Sequence, residues 1–167
     1  MNMKPDNRTL YLVRHAKALK GGPGISDIDR PLHDAGILEA YDIAAQMRDK
    51  LEFPQLIISS TATRAISTAL IFQRVLNLSP EKVIVTDNLY EIDINDLYEF
   101  TADLDDRNHS VMLVGHNPSF SLFSTKMDPA LTHMPTGSVV RFDFEVEKWK
   151  HTSYINAEKK LFIFPVK

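Results

Sequence analysis

The 167-residue sequence contains no cysteine. That excludes disulfides, thiolate metal centres and cysteine nucleophiles together, and it sets the expectation of a reducing, cytoplasmic setting. Long apolar runs are missing too. Nothing approaches the ~20 residues of a membrane-spanning helix, so no membrane partner is expected. The opening segment MNMKPDNRTL has no apolar h-region and no small-residue cleavage site. A surplus of positive charge is likewise absent. Lysine and arginine total 19 against 22 acidic residues, for a net charge of -3, so there is no broad basic field of the kind that binds nucleic acid. Any anion recognised by this chain must be gripped by a few placed side chains. No glycine-rich loop ends in Lys-Ser or Lys-Thr, which excludes a P-loop. Internal repeats and low-complexity linkers are absent, and the length suits one domain, taken as residues 1–167.

What is present is an alternation of short apolar runs and helical patterns. The runs are Thr9 to Val13, Leu56 to Ser59, Val83 to Thr86 and Val111 to Val114. They are aliphatic or β-branched with little polar alternation, as strands covered on both faces read. Between them, Ile37, Tyr41, Ala44 and Leu51 recur at helical spacing, and so do Ile66, Ala69, Leu70 and Leu76, with Thr61 as a cap. Leu97, Phe100 and Leu104 mark a shorter helix, and another is expected after Asn117-Pro118. This order predicts a three-layer α/β/α sandwich on a mainly parallel sheet. Ser138 to Val146 and Lys160 to Phe164 follow, and a turn between them predicts an antiparallel element at one side of the sheet. The segment Lys17 to Pro31 reads as a loop with three glycines and two prolines, of the kind that borders sites.

Ligands of open parallel sheets bind beyond the C-terminal ends of the strands. Arg14 and His15 follow the first strand. Arg64 sits on the first turn of the helix after the second. Glu91 lies in the loop after the third, and His116 and Asn117 follow the fourth. Two arginines, two histidines and a carboxylate are thus delivered to one rim. Arginine offers a planar fork matching phosphate oxygens. Imidazole can attack phosphorus or donate to its oxygens, and a carboxyl group can serve as general acid. Lys17 and Asn117 lie near enough to contact substrate. Asp27 and Asp29 have no third partner at metal-ligand spacing, and the remaining histidines, His33, His109, His133 and His151, read as surface residues.

These segments resemble the histidine phosphatase superfamily, also called phosphoglycerate mutase-like. Leu10 to Ala18 (LYLVRHAKA) is similar to its opening motif, with Ala16 where the family usually carries glycine. Ser59 to Ala69 resembles its second-arginine motif, Leu89 to Glu91 its acid-bearing segment, Val114 to Pro118 its second-histidine motif, and Pro135 to Phe144 its late β segment. The short length and the wording RHAKA resemble the SixA-type phosphohistidine phosphatase branch. The resemblance implies that His15 attacks phosphorus and becomes a phosphohistidine, and that Arg14, Arg64 and His116 hold the phosphoryl oxygens. It implies that Glu91 protonates the leaving group and then activates water, with no metal or other cofactor. The implied partner is a phosphohistidine protein. A small phosphate ester on the same fold, and a phosphate-binding module without turnover, are the alternatives.

Overall fold

A computed structural model describes residues 7–50, 53–153 and 157–165. Leu51 and the opening segment MNMKPD lie outside the described residues. Six strands and four α-helices follow in the order β1 (Arg8–Arg14), α1 (Asp34–Lys50), β2 (Leu56–Ser60), α2 (Thr63–Val75), β3 (Val83–Thr86), α3 (Ile94–Ala102), β4 (Ser110–Gly115), α4 (Ser119–Met127), β5 (Val139–Phe144) and β6 (Ala157–Ile163). They form one sheet of order β3-β2-β4-β1-β5-β6. The first four strands in that order pair in parallel. The last two are antiparallel, β5 along β1 and β6 along β5, which is the side element the C-terminal pattern predicts.

The unalternating strands have a direct explanation. Successive side chains of a strand point to opposite faces, and both faces here are covered. Leu10, Leu12, Val111, Leu113 and Phe142 join Leu97 of α3 and Phe120 and Phe123 of α4 in one core. Their neighbours Tyr11, Val13, Met112 and Val114 join Ile43 and Met47 of α1 and Ala65 and Phe72 of α2 in another. Three layers result. Among the described residues no helix is long and apolar enough to cross a membrane.

Several local expectations are corrected. On α1 the buried residues are Gly36, Ala40, Ile43, Ala44 and Met47, whereas Ile37 is exposed and Tyr41 packs only at the edge of a small cluster. The cause is Gly36. A Cβ there would stand 2.1 Å from the Lys17 carbonyl oxygen, so the helix must turn its small-residue face to the chain leaving β1. On α2 the buried side is Ala65, Thr68, Ala69 and Phe72, while Leu70 is exposed. Thr61 is not a cap, because Ala62 holds that position without a side-chain bond. Strand β3 is an edge strand with β2 as its one neighbour. Its Ile84 and Val85 are exposed rather than covered on both faces. Leu104 falls beyond the end of α3 yet remains in the core. Two of the histidines read as surface residues are half-buried. His33 Nδ1 accepts the Ala35 N–H at the start of α1, and His109 Nδ1 is 2.8 Å from Arg8 Nη1.

Candidate active site

The register Arg14↔Gly115 ends β1 and β4 side by side, so the residues that follow, His15 and His116, emerge together. The His15 N–H donates to the Gly115 carbonyl at 3.0 Å, and the Gly137 N–H bridges the carbonyls of Arg14 and His15. Gly115 has to lack a side chain, since a Cβ would lie 2.5 Å from the Phe120 ring. The two imidazole centroids are 5.1 Å apart. Ala16, where glycine was the expected residue, is fully buried in a cluster with Leu32, Ala40 and Ile71. Its methyl therefore fixes the loop, and its N–H donates to Thr68 Oγ1 at 3.0 Å.

His15 is buried, and its Nδ1 lies 2.8 Å from the Ala16 carbonyl. A carbonyl can only accept, so the ring hydrogen is on Nδ1 and the lone pair is on Nε2. Arg64 Nε donates to that Nε2 at 3.4 Å. The imidazole thus presents an unprotonated nitrogen beside a guanidinium, which is what a nucleophile for an anionic group needs. Burial lowers its pKa to about 4; the Ala16 carbonyl opposes this, and the charges of Arg64, Arg14 and Arg30 add smaller downward pulls.

His116 is also buried, and its Nε2 lies 2.7 Å from Ser60 Oγ at the end of β2. The Ala62 N–H already donates to that oxygen. When the serine hydrogen is donated to Nε2, the imidazole hydrogen stands on Nδ1. Nδ1 is buried and has no partner, and the same holds for Arg14 Nε. Buried donors without acceptors are uncommon, and two of them beside His15 are what an anion's oxygens would satisfy. Burial, then His15 and Arg64, lower the His116 pKa to about 3 against the attraction of Asp27. Arg14 is half-buried, and its Nη1 donates to the Met134 carbonyl at 2.8 Å.

Asp27, Arg64, Tyr90, Glu91, His116 and Asn117 line one cavity of about 280 Å³. Glu91 is exposed on its rim, in the left-handed region with φ 54°, a conformation costing about 1 kcal/mol for a non-glycine residue. The two ends of the Asn117 side chain are engaged by the Met134 carbonyl and the Ser121 N–H. Lys17 is exposed. A larger cleft of about 1050 Å³ lies at the opposite ends of the strands, lined by Phe53, Gln55, Lys82 and Arg107. It holds none of the reactive set. Among the described residues no three His, Cys, Asp or Glu side chains group as metal ligands. The residue missed from sequence is Asp27, whose carboxylate binds Arg64 Nη2 at 2.9 Å and Tyr90 Oη at 3.0 Å. Its signal was its place in a loop expected to border the site.

The profile of the histidine phosphatase superfamily (branch 1) matches residues 10–114. This chain belongs to that family. The histidine phosphatase fold is shared with a candidate phosphohistidine phosphatase SixA from Agrobacterium tumefaciens, 34% identical, with a TM-score of 0.76 over 82% of this chain and 92% of that one. A second, from Nakamurella multipartitia, is 25% identical, with a TM-score of 0.80 over 96% and 98%. A SixA protein histidine phosphatase complexed with tungstate, 21% identical, has the same fold at a TM-score of 0.70 over 80% of this chain and 86% of that one. No curated protein matches the chain at significance. The chain is a phosphatase of the histidine type.

Two pH effects follow. Protonation of His15 removes the lone pair on Nε2, so if that nitrogen is the nucleophile kcat/KM on an acid-stable phosphate ester is expected to hold from pH 7 to about 5. It should then fall with an apparent pKa of about 4, read as a property of the His15–His116 pair. Stability moves the same way. Both folded-state pKa values lie below the ordinary 6.5, so the unfolded chain binds more protons as pH falls below 6.5. The urea midpoint should drop between pH 7 and 4. A flat midpoint and an acid limb near 6.5 would contradict the buried neutral rings.

Proposed function

We propose that the protein is a metal-independent phosphohydrolase acting on phosphohistidine carried by a partner protein, through a covalent intermediate on His15. The observation that carries this reading is the hydrogen bond that commits His15 Nδ1 to the Ala16 carbonyl and leaves Nε2 as the attacking atom beside Arg64. Nε2 attacks phosphorus, the bond from phosphorus to the substrate nitrogen breaks, and the departing imidazole takes up a proton. Water then attacks the phosphohistidine, releasing phosphate and restoring His15. Arg14, Arg64 and the His116 Nδ1–H serve as donors to the phosphoryl oxygens, on which charge accumulates in the transition state. The 34% identity with the Agrobacterium protein over most of both chains supports the phosphohistidine branch. In this reading residues 1–167 form one catalytic domain in the cytoplasm.

One observation favours a second substrate class. The 280 Å³ cavity is bordered by Asp27 of the long loop, and a bordered cavity of that size also suits a small phosphate ester. The test is a parallel assay of a phosphohistidine protein and a panel of monoesters. The expected outcome is a kcat/KM at least about 100-fold higher on the protein, roughly 2.7 kcal/mol of transition-state discrimination. Preference for a monoester by that margin would reverse the assignment.

A further inference from the structure

The mechanism above gives no task to Asp27. Asp27 stands in the loop between β1 and α1, more than half exposed, yet it contacts the buried Arg64 twice. Its backbone carbonyl accepts from Arg64 Nη1 at 2.5 Å, and its Oδ2 accepts from Nη2 at 2.9 Å. These two nitrogens form the end of the guanidinium fork. The side of the fork, made of Nε–H and the second hydrogen of Nη2, is left to face His15 Nε2, where the Nε contact is found. A planar guanidinium whose end is gripped at both nitrogens cannot rotate about its long axis without breaking one bond. Asp27 is itself held. Arg30 Nη1 donates to its Oδ1 at 2.9 Å and the Tyr90 hydroxyl to its Oδ2 at 3.0 Å. The Tyr90 ring in turn stands edge-on to His116, with centroids 5.7 Å apart. The Thr63 N–H donates to the Ile28 carbonyl at 2.9 Å, so the loop is also fastened to the first turn of α2.

We propose that Asp27 is a positioning residue, which fixes the guanidinium of Arg64 with its side edge turned to the phosphoryl site on His15 and couples the seating of the Lys17–Pro31 loop to assembly of the site. The inference rests on the phosphatase reading given above. Asp27 is not a proton donor. Desolvation raises its carboxyl, but the hydrogen bonds from Arg30, Arg64 and Tyr90 outweigh it and hold the pKa at about 2. It therefore remains ionised throughout the working range, which suits a fixed anchor and not a group that must pass a proton. It also does not occupy the edge that phosphate needs, so substrate can bind with the anchor in place.

The test is Asp27→Asn, alone and combined with Arg64→Lys, since lysine has no fork to be gripped. Asparagine keeps the shape, removes the charge and leaves the backbone carbonyl contact intact. Misplacement of an oxyanion donor costs on the order of 10- to 100-fold, and that loss is expected mainly in kcat, with a smaller rise in KM. In the Arg64→Lys background the same substitution should change kcat by less than about twofold, because partners in one network are not additive. Tyr90→Phe, which removes a donor to Asp27, should show a smaller loss of the same kind. A second readout needs no turnover. Calorimetry with inorganic phosphate should show weaker binding in Asp27→Asn only when Arg64 is present. Wild-type kcat in Asp27→Asn, a loss that persists undiminished beside Arg64→Lys, or tighter phosphate binding, which would mark Asp27 as a competitor for Arg64, would each overturn the proposal. Failure of the phosphatase reading looks different. It would appear as absent turnover in the unsubstituted protein, and the phosphate-binding cycle would still decide the role of Asp27.

Discussion

His15→Ala is expected to abolish turnover, with a loss of at least about 10⁴-fold, as removal of a covalent nucleophile does. The reason is in the ring's bonding. His15 Nε2 is the one ring nitrogen left with a lone pair once Nδ1 is tied to the Ala16 carbonyl. His116 is not placed to replace it, because its Nε2 is engaged with Ser60. Alanine at 15 leaves Arg14, Arg64 and His116 in place, so inorganic phosphate should still bind. The measurement is rapid mixing with labelled substrate and an alkaline quench. The unsubstituted protein should carry acid-labile phosphate on His15, and the variant should carry none. Turnover undiminished in the variant would falsify nucleophilic attack by His15.

Glu91→Gln should separate the two substrate classes. An alkoxide leaving group has a conjugate acid with a pKa near that of water, ~15.7, and needs a proton as the bond breaks. Departing imidazole has a conjugate acid of pKa ~6.5 and leaves with far less help. Glutamine matches the shape of glutamate and transfers no proton. The rate at which a monoester phosphorylates His15 should therefore fall roughly 10²- to 10⁴-fold, while the rate from a phosphohistidine protein should fall less than about tenfold. The phosphorylation burst is the quantity to read, because hydrolysis of the intermediate is common to both substrates. Equal losses in the two bursts would mean that Glu91 acts before the leaving group matters, by shaping the site. Its position on the cavity rim, with φ 54°, gives it the access that proton transfer needs.

Most of the scaffold was legible from residue order. Unalternating aliphatic runs imply strands covered on both faces, and the two cores on either side of β1 and β4 confirm it. Once those strands are parallel, whatever follows them lies on one rim, so residue order alone groups His15, Arg64, Glu91 and His116. Less legible were the helix faces. Large apolar residues at helical spacing pointed to Ile37 and Leu70, both of which are exposed. Small residues face inward instead, since Gly36 must pass the Lys17 backbone and alanines let α1 and α2 approach the sheet. An edge strand such as β3 reads like a central one, because neighbours are a property of the sheet and not of the strand.

The sequence by itself determined the layered α/β fold and the set of candidate residues at the strand ends, because both follow from local patterns repeated in a fixed order. Only the tertiary structure decided how those residues are armed. The lone pair on His15 Nε2 depends on where the Ala16 carbonyl falls, and the unpartnered Nδ1 of His116 on the reach of Ser60. The grip on Arg64 comes from Asp27, 37 residues away along the chain. Hydrogen bonds of this kind are set by distances of a few tenths of an ångström between segments remote in sequence, and no spacing of residue types encodes them.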